Sequence, residues 1–198
     1  MMKAMSILRI WHETRRHAAD LVADRRGLAA VEFAFILPVM LVMFFGTIEF
    51  SSAIAIDRKV TLMARTLSDL TSQAATVADT DLTNFFAAST GIMTPYPTTT
   101  LSSTITELFV DPSTLAARVQ WSKGSAPLTV GTTVTIPTSL AIGNTYLIFS
   151  QVSYQYVPTV GYVMAKAGIT MSDFAFTRPR QSTCVLYPTG TQTLCPMS

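Results

Sequence analysis

The stretch from residue 28 to residue 50, LAAVEFAFILPVMLVMFFGTIEF, limits what the chain can fold into more than any other. As a helix this run rises about 34 Å, enough to cross a hydrocarbon core of about 30 Å. Two residues sit awkwardly in it. Glu32 places a charge near the start of the run, and Pro38 places a helix-breaker inside it. A secretory signal peptide is the alternative reading. Its apolar core is shorter and is followed by small residues at a cleavage site, which SSAIAID after the run can offer.

The flanks orient the run. Residues 1–27 carry six basic side chains (Lys3, Arg9, Arg15, Arg16, Arg25, Arg26) and three acidic ones (Glu13, Asp20, Asp24). Residues 51–198 are nearly neutral, with eight bases and seven acids. A basic flank stays on the cytoplasmic side, so residues 77–198 are expected to be exported. Only 13% of residues are charged, about half the share of an ordinary soluble domain, which fits a membrane or secreted protein. A net charge of +2 gives no support to nucleic-acid binding through phosphate contacts. Within the leader, ILRIWHETRRHAADLVA can form a short basic helix on the membrane surface or remain a plain leader.

Beyond the run the helical pattern continues. Ile56, Val60, Met63, Leu67, Leu70 and Ala74 recur at spacings of three and four, while Asp57, Arg58, Lys59, Arg65 and Asp69 fall off that stripe. The pattern predicts one helix over residues 28–76, partly in lipid and partly beyond it. The stripe can pack on the protein's own globular part or on neighbouring copies. A short helix is expected at DTDLTNFFAASTG, with Asp79 or Thr80 as its cap and Gly91 at its end. MTPYPTTT then breaks the structure.

From residue 101 the pattern changes to strands. STITELFV, LAARVQWS, LTVGTTVTIP, TYLIFSQVSYQYVP and FAFTRPR are rich in β-branched and aromatic residues, with turn signals between them. Strands this close in sequence predict an antiparallel sheet. The fold class is therefore α+β: a long membrane-spanning helix, a short helix and an antiparallel sheet domain. Cys184 and Cys195 are the only cysteines, and Pro188 and Gly190 between them suit a turn. In an oxidising compartment they are placed to close a local disulfide; two unpaired thiols are the alternative.

Catalysis finds no footing. His12 and His17, the only histidines, precede the apolar run. The exported part thus lacks the usual general base and the commonest metal ligand. Its acids, Asp57, Asp69, Asp79, Asp81, Glu107, Asp111 and Asp173, are scattered, and no Gly-rich phosphate loop is present. Neither a catalytic residue nor a metal or cofactor is expected.

The chemistry concentrates at RRGLAAVEF. A peptide bond after Gly27, which has no side chain, is open to a protease at the cytoplasmic face. Cleavage there leaves a charged amine on Leu28. A lone carboxylate at the centre of a membrane helix costs roughly 2.5–3.5 kcal/mol, less near the interface. If the chain is cut there, the Leu28 amine of a staggered neighbour would neutralise Glu32 and set the axial register between subunits. Glycine, four residues, then Glu32 and the aromatic Phe33 resembles the type IV pilin-like processing signal of the Flp/Tad branch. AAVEFAFILPVMLVMFFGTIEF is similar to the N-terminal segment of TadE-like minor pseudopilins. RVQWS, YLIFSQVSYQYVP and FTRPR are similar to the β-region of that family.

The resemblance implies processing by a prepilin peptidase, an aspartyl protease of the inner membrane. Gly27 is then the residue before the cut, Leu28 the new N-terminus, and Glu32 with Phe33 the recognition and assembly element. It also implies partners: the major Flp pilin, other minor pseudopilins, the inner-membrane assembly platform and membrane lipid. The implied role is assembly of tight-adherence pili for attachment and biofilm formation. The chain's size suits a minor component. Pro38 then lets the helix bend to pack among neighbours, or is a tolerated kink. Glu49 is expected to snorkel to the outer interface. The competing reading is an uncleaved, single-pass anchored binding or adhesion module, with a secreted enzyme as the third.

Overall fold

The structure, a computed structural model, describes residues 26–158, 168–187 and 195. Most of the basic leader and the turn residues Pro188 and Gly190 lie outside them. The protein is α+β. Helix α1 (Arg26–Ser72) is followed by helix α2 (Asp79–Thr90) and strands β1 (Leu101–Val110), β2 (Ala117–Gly124), β3 (Thr133–Val134), β4 (Thr145–Tyr156) and β5 (Ile169–Thr177). The chain divides into two compact units, residues 1–48 and 49–198.

In the first unit α1 runs through Pro38 without interruption. Proline has no N–H to give to the Ala34 carbonyl, so one rung of the ladder is lost. Every side chain from Leu28 to Ile48 is exposed. Gly27–Ser72 is long and apolar enough to cross a membrane, the one such helix among the described residues.

In the second unit, the α1 residues Ile56, Val60, Met63, Ala64 and Leu67 are fully buried in one cluster with Ile105, Trp121, Ile148, Val152 and Tyr154 of the sheet. The heptad-like stripe therefore packs on the protein's own sheet, and the alternative of packing on neighbouring copies is not needed to explain it. Leu70 and Ala74, its last members, are half-buried. Each full burial of such a side chain contributes about 1.5–3 kcal/mol. Polar contacts fix the helix's level on the sheet. Lys59 Nζ donates to the carbonyls of Ile92 (2.7 Å) and Thr94 (2.9 Å). Thr61 donates to Asp173, Ser150 Oγ to the Ala64 carbonyl, and Arg180 pairs with Asp69.

The sheet is antiparallel, in the order β3-β2-β1-β4-β5. Its second face buries Leu108, Val110, Val119, Leu147 and Phe149 beneath Leu128, Val134, Ile136 and Leu140 of the β2–β4 connection. Cover on both sides explains why LFV and YLIF read as unbroken apolar runs rather than alternations. LTVGTTVTIP, expected as a strand, forms only the two-residue β3; Leu128, Val134 and Ile136 of it pack on that cluster, while Val130 is exposed. At the end of β2, Gly124 has φ +138, and a Cβ there would meet the Ser103 carbonyl oxygen at 2.2 Å. The crossing to β1 thus requires glycine.

The caps of α2 differ from expectation. Ala78, not Asp79 or Thr80, is the N-cap, and its N–H donates to Asp81 Oδ2 at 2.9 Å. At the other end Gly91 is the C-cap that the sequence predicts, but in a right-handed conformation that leads into a 3-10 turn (Gly91–Met93). Asp79 is drawn elsewhere, as described next.

Candidate functional sites: an exposed helix start and a clasped C-terminal strap

The Gly27-x4-Glu32-Phe33 stretch sits at the beginning of α1. Gly27, Leu28, Glu32 and Phe33 are all helical and exposed. No described residue lies within 4 Å of where a Gly27 Cβ would stand. Leu28 and Phe33 remain 60% and 59% exposed, so neither is claimed by the fold around it. A helical i, i+4 relation places Leu28 and Glu32 on one side of α1, with Phe33 beside them. Within one chain these residues meet no partner among the described residues. What the arrangement offers is an accessible backbone and a carboxylate on an apolar rod.

The second site is the C-terminal strap, residues 184–187. Cys184 is bonded to Cys195, with Cα atoms 5.7 Å apart. The strap's backbone is taken up on both sides. Val77 N–H donates to the Leu186 carbonyl (2.8 Å), and Leu186 N–H to the Ala75 carbonyl (3.0 Å). Trp121 Nε1 donates to the Val185 carbonyl at 2.8 Å, and Val185 N–H donates to Glu107 Oε1 at 2.6 Å. Tyr187 donates its hydroxyl to Asp79. That contact, and then Lys123 at 3.4 Å, holds the Asp79 carboxyl below the usual carboxylate range. The Lys123 ammonium lies 4.8 Å from the Tyr187 ring centroid. One short segment thus ties the connection between α1 and α2, the start of α2 and two strands together.

Glu107 is the unusual member. It is fully buried, and its Oε2 has no hydrogen-bond partner among the described residues. Burial pushes its carboxyl up to about 8, against the opposing hydrogen bonds from Val185 and Trp121. The sequence listed it only as one of several scattered acids. The signal was its phase: it alternates with Ile105 and Phe109 on the helix-facing side of β1, where no charge belongs.

Glu49, expected at the outer interface, has a partner there. Its Oε2 accepts a hydrogen bond from the Tyr156 hydroxyl at the end of β4. Burial, and then this carboxylate, push the Tyr156 phenol up to about 12. Among the described residues, no group of three His, Cys, Asp or Glu side chains is placed to hold a metal ion.

Closing the strap has a measurable consequence. The disulfide spans a separation of 11 residues, a loop whose closure contributes about 2–3 kcal/mol in the chain-entropy account. Cys195→Ala is expected to lower stability by about that much, read as a shifted denaturant midpoint with an unchanged slope. A change below about 0.5 kcal/mol would mean the strap's hydrogen bonds suffice without it.

Fold and sites define a class: a helix-anchored α+β protein with an exposed Gly-x4-Glu-Phe element and no assembled catalytic centre among the described residues. Residues 27–69 match the family model described as TadE-like protein. The chain is TadE-like over that segment, which is consistent with a pilus-associated protein of the Flp/Tad type. The match covers the exposed half of α1 and most of the half packed on the sheet, and ends before α2. Neither a curated protein nor a solved structure matches the chain.

Proposed function

We propose that the chain is a minor pseudopilin of the Flp/Tad system, cut between Gly27 and Leu28 by a prepilin peptidase. Its C-terminal domain faces the periplasm and it acts with the major pilin in pilus assembly. The observation carrying this reading is the Gly27-x4-Glu32-Phe33 element, exposed at the start of a helix long enough to span the bilayer and inside the TadE-like segment. The uncovered first unit of α1 supports it as well. From Leu28 to Phe45 it exposes large apolar side chains that a monomer in water would not leave bare. Lipid covers them before assembly, and neighbouring helices after it. The role is structural, with Glu32 neutralised by the Leu28 amine of the next subunit.

The alternative, an uncleaved anchored module, is favoured by one observation: the helical backbone already includes Gly27 and Leu28. Cleavage requires that first turn to unwind, which helix ends do readily.

The test is intact-mass and N-terminal peptide analysis of protein recovered from host membranes, with Glu32→Ala beside the wild type. The expected result is a chain starting at Leu28 in both, with Glu32→Ala absent from sheared pili and retained in membranes. Wild-type protein that keeps residues 1–27 in piliated cells would establish the anchored module instead.

A further inference from the structure

Strand β5 ends the sheet, and no described strand lies beyond it. Which of its backbone groups are open follows from the register. Gln155 turns its backbone to the β1 side, its N–H donating to the Thr100 carbonyl. Backbone groups alternate sides along a strand, so the even-numbered residues of β4 turn theirs to β5. Their partners there include Asp173, Ala175 and Thr177. The backbone groups of Ser172, Phe174 and Phe176 therefore point out of the sheet. The Phe174 N–H is taken up by Asp173 Oδ1 at 2.8 Å. The Phe174 carbonyl and both backbone groups of Phe176 are left open among the described residues.

Those groups face a groove of about 610 Å³, lined by Arg65 and Asp69 of α1 and by the Phe174–Thr177 half of β5. It lies within the second unit, at the end of β5 away from Ile169. Its two sides differ. On the helix side Asp69 is paired with Arg180, whereas Arg65 is exposed and makes no ion pair among the described residues. On the far side Phe174 is 57% exposed, its ring centroid 5.6 Å from that of Phe176. The groove thus offers open backbone in the middle, an uncompensated guanidinium on one side and a bare aromatic ring on the other.

We propose that this edge of β5 takes an extended segment of another protein as an added strand, one that alternates acidic and apolar side chains. An added strand satisfies open N–H and C=O groups with its own and sends successive side chains to opposite faces. Acidic side chains on the helix side meet Arg65, whose planar fork can hold a carboxylate by two hydrogen bonds. Apolar side chains on the other side cover Phe174 and Phe176. A second copy of the chain fits poorly. Joined antiparallel through β5, it would bring its own α1 to the same face and set Arg65 against Arg65. Asp173 does not relieve that, because Thr61 and the Phe174 N–H already hold its carboxylate. The proposal stands whether or not the chain is cut after Gly27.

The experiment uses the full chain in detergent with its disulfide intact. Short fluorescent peptides alternating glutamate and valine, or lysine and valine, are titrated by anisotropy against the wild type and Arg65→Glu. Arg65 is exposed and unpaired among the described residues, so the variant should keep the wild-type denaturant midpoint. The wild type is expected to bind the glutamate peptide about tenfold or more tighter than the lysine peptide, the size of one charge-assisted hydrogen-bonded contact. Arg65→Glu should remove or invert that preference. Methylating the amide nitrogens of alternate residues blocks one edge of the peptide strand. Of the two alternate sets, one should abolish binding and the other spare it. Equal affinity for the two peptides, a preference that survives Arg65→Glu, or no binding by either overturns the proposal. So does binding indifferent to both methylated sets, since the peptide would then not be a strand. Wild-type dimers that the glutamate peptide dissociates would assign the edge to a second copy and overturn it as well.

Discussion

Raising the pH from 4.5 to 8 is expected to cost the second unit about 3–5 kcal/mol through Glu107 alone. The folded protein holds this carboxyl at about 8, against an ordinary value of 4.5. Between those values the native state keeps a proton that the unfolded state has lost. Stability is therefore full below the unfolded value, declines as pH rises between the two, and levels off above the folded value. The lowered carboxyl of Asp79 acts at acid pH, outside this window. Glu107→Gln keeps an oxygen for the Val185 N–H and removes the titration. It should flatten the slope and exceed the wild type in stability at pH 8.5. The measurement is denaturant unfolding of both chains in detergent across that range. Hydrogen exchange at Val185 should accelerate first, because ionisation leaves a buried oxygen charged with no partner among the described residues. Parallel slopes for the two proteins would show that water or a partner outside the described residues already satisfies Glu107.

The second large effect concerns the two faces of α1. Leu67 is fully buried and Leu62 is 52% exposed. Leu67→Ala should destabilise the protein by about 2–5 kcal/mol, the cost of an emptied core position. Leu62→Ala should change stability by less than about 0.5 kcal/mol. Both are read as denaturant midpoints, together with the oligomeric state in detergent. Were the stripe a contact between copies, Leu67→Ala would shift assembly and leave monomer stability alone. An equal loss from Leu62→Ala would mean that its face of α1 is covered in solution.

Much of this arrangement was legible because it is local. Twenty-odd residues, apolar but for Glu32 and Glu49 near the two ends, are long enough for a span whatever follows them. The stripe from Ile56 to Leu67 marked the buried face of α1 by spacing alone. Strand runs such as TYLIFSQVSYQY were visible in their β-branched and aromatic content. The Gly27 to Phe33 motif was readable because it lies in one continuous stretch.

Pairing at long range was not legible. LTVGTTVTIP had strand composition, yet the outer face of the sheet needed a cover more than a fifth full strand, and Leu128, Val134 and Ile136 supply it. Asp79 had the chemistry of a cap, but Tyr187 and Lys123 compete for its carboxylate, which leaves Ala78 at the capping position. Glu49's place at the outer end of the run was legible, but not that the end of β4 would bring Tyr156 to it. Glu107 was one acid among seven until strand phase and the returning strap sealed it from water.

The sequence by itself determined the span, the class of fold, the buried face of α1 and the exposed element around Gly27 and Glu32. Each depends on spacings within one segment, where backbone geometry converts periodicity into a face. Only the tertiary structure decided that α1 packs on its own sheet, that the C-terminal strap clasps four elements at once, and which carboxylates acquire partners. Those outcomes depend on which distant side chains share a dehydrated volume, where burial and hydrogen bonding outweigh local preference.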